Sequence, residues 1–100
     1  DFVHVRDVVQ ANVKAALSRG VSGAFNIASG TRITINALVE LLREAGLRPQ
    51  VRMAPPRPGD VRHSLADLTR ARTSLGYDPS VGLAEGLREY VAWAQEEAAR

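Results

Sequence analysis

The amino-acid sequence predicts a small α/β (α+β) domain, in which about four helices pack with one three-stranded sheet in the order β-α-β-α-β-loop-α-α. Three observations carry this expectation. Apolar residues recur at helical spacing around Val5–Leu17, Ile35–Ala45 and Leu83–Ala94. The runs Phe2–Val5, Gly23–Ser29 and Pro49–Ala54 are short and strand-like. Nothing in the 100 residues repeats or changes composition enough to mark a second domain.

Phe2-Val3-His4-Val5 opens the chain as the first strand. The spacing of Val5, Val9, Val13, Ala16 and Leu17 predicts a helix from about Arg6 to Arg19, with Gly20 placed to end it. In GAFNIAS, Gly23 to Ser29, Phe25 and Ile27 alternate with small or polar neighbours as in a half-buried strand; Gly30 marks the turn. Thr34 is a natural N-cap for the second helix, since its hydroxyl can accept an unpaired N–H of the first turn. Ile35, Leu38, Val39, Leu42 and Ala45 line one face of that helix, and Gly46 stops it. Ala37 stands where a capping box would carry Glu. Pro49 to Ala54 is the third strand, with Val51 and Met53 on one face. After a Pro-rich loop, Asp67 caps a short helix through Leu75, ended at Gly76. Leu83, Leu87, Tyr90, Val91 and Ala94 form the stripe of a last helix from about Leu83 to Ala99.

Composition narrows the function. Apolar residues at 45% and charged residues at 24% are ordinary for a globular domain. No apolar run approaches the roughly 18 residues of a membrane span, and no secretory pattern opens the chain, so the expectation is a cytoplasmic protein without a membrane partner. The absence of cysteine excludes disulfides, thiolate catalysis and Cys-based zinc sites; His4 and His63 are too far apart in sequence to suggest a metal site. A net charge of +2 does not point to nucleic acid. The distribution of charge is more informative. Arg43, Arg48, Arg52, Arg57, Arg62, Arg70 and Arg72 face only Glu44, Asp60 and Asp67 between positions 43 and 72. Arginine suits bidentate recognition of phosphate or carboxylate. An Arg-rich coding bias would produce the same count, so the cluster alone assigns nothing.

Several chemistries find no residues to perform them. There is neither a G-x-x-x-x-G-K-[ST] nor a G-x-G-x-x-G phosphate loop. A Tyr-x-x-x-Lys pair, in which the lysine would lower the phenol's pKa for proton transfer, is missing: Val81 follows Tyr77 at that spacing, Ala94 follows Tyr90, and the one lysine is Lys14. Glu85 and Glu89, and Glu96 and Glu97, read as solvated helix faces. Ser64 beside His63 has no acid to complete a triad.

The Pro-rich loop MAPPRPGDVRHSLAD, Met53 to Asp67, is different. Pro55, Pro56 and Pro58 fix their own φ and hold the preceding residues extended, so Arg57 loses little backbone entropy when it binds. Its guanidinium can grip a diphosphate with parallel hydrogen bonds. Gly59 permits a sharp turn that brings Asp60 close, where a carboxylate can accept from a ribose diol. The plainer alternative is a surface ion pair between Arg57 and Asp60 closing a tight turn, worth at most about 1 kcal/mol.

RPGDVRHSLADLTRARTSLGYDPSVGLAEGLREYV, Arg57 to Val91, resembles the C-terminal signature of the extended short-chain dehydrogenase/reductase family. Within that family it is most similar to the UDP-sugar 4-epimerases acting on UDP-glucose, UDP-N-acetylglucosamine and UDP-glucuronate. DFVHVRDVVQANVKAAL resembles the family's Arg-Asp-aromatic-x-x-Val-x-Asp segment, entered one residue late. FNIASGTRITINALVELL resembles its Asn-x-Gly-x-Gly-x-x-x-Ser/Thr-x-x-Glu stretch, with Ala28 for the first Gly and Ala37 for the Glu. Essentially all 100 residues are covered in order.

The resemblance implies that residues 1–100 are the C-terminal, nucleotide-sugar-binding part of an NAD-dependent epimerase, lacking its Rossmann half. NAD and the Tyr-x-x-x-Lys pair would belong to that upstream half. Arg57 would contact the UDP diphosphate and Asp60 the ribose, with Arg62 and His63 as further nucleotide contacts. Asp7 would be structural, bonding backbone near the strand–helix junction, and His4 a packing residue. The parent would be a cytoplasmic homodimer interconverting UDP-hexoses at C4 through a 4-keto intermediate. The first residue, Asp1, falls inside strand-like sequence with no Met or polar lead, so the chain is expected to be cut from something longer, inactive alone and apolar on the face it has lost. A 4,6-dehydratase, decarboxylase or reductase of the same family is the alternative within the class. A stand-alone nucleotide-sugar-binding module is the alternative outside it.

Overall fold

A computed structural model describes all 100 residues and contains four helices, α1 (Val5–Leu17), α2 (Ile35–Glu44), α3 (Thr69–Leu75) and α4 (Leu83–Ala98). The helices fall within about two residues of where the sequence placed them. His4, expected within a strand, is instead the N-cap of α1, its Nδ1 accepting from the Arg6 N–H at 3.0 Å. Thr34 caps α2 as expected, its hydroxyl oxygen accepting from the Ala37 N–H at 3.1 Å. The Asp67 carboxylate accepts from both the N–H and the hydroxyl of Thr69 at the start of α3, at 2.9 and 2.6 Å. These two bonds hold the Asp67 carboxyl below its usual pKa, the hydroxyl contributing more than the N–H.

The three-stranded sheet is not there. Residues 2–4, 23–29 and 49–54 carry no strand, and the backbone hydrogen bonds outside the helices close turns and caps without joining these runs. The physical reason is that alternation records which side of a segment meets the core, whereas a strand also needs a second backbone about 4.8 Å away. Residues 25–29 do have their inner side covered, and Phe25, Ile27 and Ala28 belong to the core. Side chains take the place of a neighbouring strand there: the Tyr77 hydroxyl donates to the Ala28 carbonyl at 2.7 Å. The 49–54 run has neither partner nor cover, with Val51 53% and Met53 84% exposed.

Packing runs in two pairs, α1 against α3 and α2 against α4. The core proper is small: Ala11, Ala28, Leu68, Ala71 and Tyr77, with Phe25, Ile27, Ala66 and Leu75 around it. Its shape is a plate of 49 × 36 × 20 Å with a radius of gyration of 16.3 Å, against about 13 Å for a compact domain of 100 residues. One face of the plate is bare. Val5, Val9, Val13 and Leu17 form a continuous stripe along α1 and are all more than half exposed. An apolar groove of about 760 Å³ lies between the start of α1 and helices α2 and α4, lined by Phe2, Leu38, Leu83, Leu87, Tyr90 and Trp93 among others.

Candidate functional site

The Pro-rich segment forms the turn that its sequence asks for. The Asp60 N–H donates to the Arg57 carbonyl at 3.2 Å, closing a β-turn with Pro58 and Gly59 at its two central positions. Gly59 has φ +84°, the left-handed value that the second central residue of a type II turn requires and that glycine adopts without strain. One Asp60 oxygen then accepts from the Arg57 N–H at 3.1 Å and from its Nε at 3.5 Å. The backbone turn, the carboxylate cap and the ion pair therefore hold Arg57 and Asp60 in fixed register.

Both groups face solvent, the Arg57 side chain 85% exposed and Asp60 47%. The Nη groups of Arg57 make no hydrogen bond within the chain, and every residue from Val51 to Leu65 is exposed. An ion pair this open adds at most about 1 kcal/mol to stability. The plainer expectation, a surface pair that closes a tight turn, describes the contact itself; the unpaired Nη groups leave the guanidinium able to bind an anion as well. Arg62 and His63 lie on the same exposed segment, but no hydrogen bond joins either side chain to the turn.

Four other polar residues hold the rest of the fold together. Asp7, on the first turn of α1, is 1% exposed and accepts from the Ser80 N–H at 2.9 Å, the Ser80 hydroxyl at 3.2 Å and the Val81 N–H at 3.1 Å. It is structural, as expected, but the backbone it holds is the entry to α4 and not its own strand–helix junction. The His4 ring rests on Gly86 of α4, and its Nε2 lies 3.4 Å from Glu89, which also accepts from Arg6 at 2.7 Å. Tyr77 is buried in the core, and burial, followed by the charge of Asp7, pushes its pKa up. Asp1 carries its own group of hydrogen bonds to Ser29, Gly30 and Ala66. Sequence reading singled out neither Tyr77 as core nor Asp1 as an anchor, and no local pattern marks them, Tyr77 lying between Gly76 and Asp78.

A dinucleotide site of the Gly-rich kind has no counterpart in the sequence. Such a site needs a glycine-rich turn leading into a helix whose first N–H groups remain open to a pyrophosphate. Here His4 caps α1, Thr34 caps α2 and Asp67 binds the start of α3, while α4, with Gly82 at its N-cap, has no side-chain cap. No cluster of His, Cys, Asp or Glu could hold a metal ion.

The chain is thus a helical plate that bears an exposed Arg–Asp turn and an open apolar face. Comparison with known proteins gives the class. Residues 1–90 match the family described as GDP-mannose 4,6 dehydratase, and the chain belongs to this nucleotide-sugar epimerase/dehydratase family of extended short-chain dehydrogenases. It is 40% identical over 92 residues to a UDP-glucose 4-epimerase of Mycolicibacterium smegmatis, covering 91% of this chain and 29% of that protein. It is 38% identical over 101 residues to a dTDP-glucose 4,6-dehydratase of Streptomyces niveus, covering 98% of this chain and 30% of that protein. Among solved structures, MoeE5 in complex with UDP-glucuronic acid and NAD superposes with a TM-score of 0.89 at 36% identity, covering 97% of this chain and 33% of that one. The chain thus spans about 30% of the length of the curated relatives it matches.

Proposed function

We propose that these 100 residues are the nucleotide-sugar-binding part of an NAD-dependent enzyme, and that the whole protein interconverts UDP-hexoses at C4. The observation that carries the reading is the Pro58-Gly59 turn, which holds Arg57 and Asp60 in register while leaving the Arg57 Nη groups open. The two Nη groups would bind the diphosphate, while Nε stays on Asp60 and keeps the guanidinium oriented. The second Asp60 oxygen would accept from the ribose diol. Arg62 and His63, on the same exposed segment, would add contacts to the nucleotide. Holding the remote nucleotide positions the hexose without touching its reacting carbon. NAD and the proton-transfer groups belong, in this reading, to the remainder of the protein, which would also cover the α1 stripe and the apolar groove.

A 4,6-dehydratase is the second reading, favoured by the family description and by the Streptomyces relative. The two differ in product, so the test combines binding with product analysis. The full-length protein should convert UDP-glucose to UDP-galactose by proton NMR; a 4-keto-6-deoxy product would select the dehydratase. Arg57→Ala should raise KM at least about tenfold, the size of a lost charge-assisted hydrogen bond. Arg57→Lys should recover only part of that, because an ammonium cannot present two parallel donors. A KM that Arg57→Ala does not move would remove the clamp from the reading.

A further inference from the structure

From Val51 to Leu65 the loop carrying Arg57 is exposed, so nothing packs on its tip and its aim depends on how its ends are held. At its trailing end, Asp1 Oδ2 accepts from the Ala66 N–H at 3.4 Å. The same carboxylate accepts from the Ser29 N–H at 2.8 Å, the Ser29 hydroxyl at 2.5 Å and the Gly30 N–H at 3.0 Å. Gly30 adopts φ +74°, and a Cβ there would come within 3.0 Å of Leu68 Cδ1, so this turn sits directly on the core. Ala28 on one side and Leu68 on the other are both buried.

We propose that Asp1 is a positioning residue for nucleotide binding. It fastens the trailing end of the Arg57 loop to the Ser29–Gly30 turn, so that Arg57 and Asp60 are held over one place on the core. This rests on the reading of Arg57 as a nucleotide contact. A carboxylate accepting from three N–H groups and a hydroxyl uses its lone pairs in full. Its amide analogue would turn an NH₂ toward one or more of those donors and release the loop end, and ordering that end again on binding costs conformational entropy.

The test is a double-mutant cycle in the full-length protein, with UDP affinity and the KM and kcat for the UDP-hexose as readouts. Asp1→Asn should weaken UDP about fivefold and raise KM more than it lowers kcat. In an Arg57→Ala background the same change should add less than about twofold, because the contact it aims is already gone. Ser29→Ala removes the 2.5 Å contact and keeps the backbone donors; it should act in the same direction, by about twofold, and keeps the proposal testable if Asp1→Asn folds poorly. Equal losses in both backgrounds would make Asp1 a structural residue and overturn the proposal, as would unaltered UDP affinity in both Asp1→Asn and Ser29→Ala. If Arg57→Ala itself binds UDP normally, the nucleotide reading fails and takes the proposal with it. If Arg57→Ala binds weakly while Asp1→Asn does not, only the role of Asp1 fails.

Discussion

Tyr77 is the largest fully buried side chain of the core, and its hydroxyl meets a backbone carbonyl that no neighbouring strand satisfies. Tyr77→Phe would leave the Ala28 oxygen unpaired, an expected loss of about 1–3 kcal/mol and several degrees in the thermal midpoint of the full-length protein. The same phenol sets a pH dependence. Its pKa lies above the ordinary 10.0 in the folded state, chiefly through burial. The folded protein therefore retains a proton that the unfolded chain gives up, and the contribution is complete below about pH 10 and lost as pH rises through the folded value. Thermal midpoints measured from pH 9 to 11 should fall in the parent protein and fall less in Tyr77→Phe.

Two helices put element-scale arguments to the test with opposite signs. Gly86 lies inside α4, where alanine would ordinarily gain about 1 kcal/mol of helix propensity. A Cβ at Gly86 would approach His4 Cδ2 to 2.8 Å, however, and that ring is held on one side by Arg6 and lies beside Glu89 on the other. Gly86→Ala should therefore lower the midpoint, because moving the imidazole also uncaps α1. In α2 the Thr34 cap is half of a capping box, and Ala37 is exposed. Ala37→Glu should raise stability by a few tenths of a kcal/mol, read as an upward shift in the denaturant midpoint.

These elements also mark what the sequence could say. A helix is a local object, so the spacing of Ile35, Leu38, Val39 and Leu42 with Thr34 before it was enough to place α2 and its cap. The Pro58-Gly59 turn was legible for the same reason, its bonds spanning three residues. The absent sheet was not, because pairing is decided by segments far apart in sequence. Nor were the anchors: Asp1 reaches Ala66 and Asp7 reaches Val81, separations of 65 and 74 residues. No periodicity encodes a contact of that range. The Arg57–Asp60 turn was visible in the sequence, and the long-range bonds of Asp1 and Asp7 were not.

At the scale of the whole molecule, the plate is too thin to bury what it carries. Only 8 of 100 residues are buried, while Val5, Val9, Val13 and Leu17 present an apolar stripe to solvent. A face of that kind seeks cover. The 100 residues prepared alone should self-associate in sedimentation velocity, with a weight-average mass that rises with concentration. Val9→Glu with Val13→Glu should reduce that rise by placing two like charges at the centre of the stripe. In the full-length protein the same pair should instead destabilise, since there the stripe is proposed to be covered.

Two Nη groups on a proline-locked turn are proposed to hold the diphosphate, and calorimetric titration of UDP into the full-length protein and into its Arg57→Ala variant measures what they contribute. The variant should bind UDP at least about tenfold more weakly, with the parent's affinity falling as salt is raised. Equal affinity in the two proteins would contradict it, and would leave the Arg57–Asp60 pair as the closure of a surface turn.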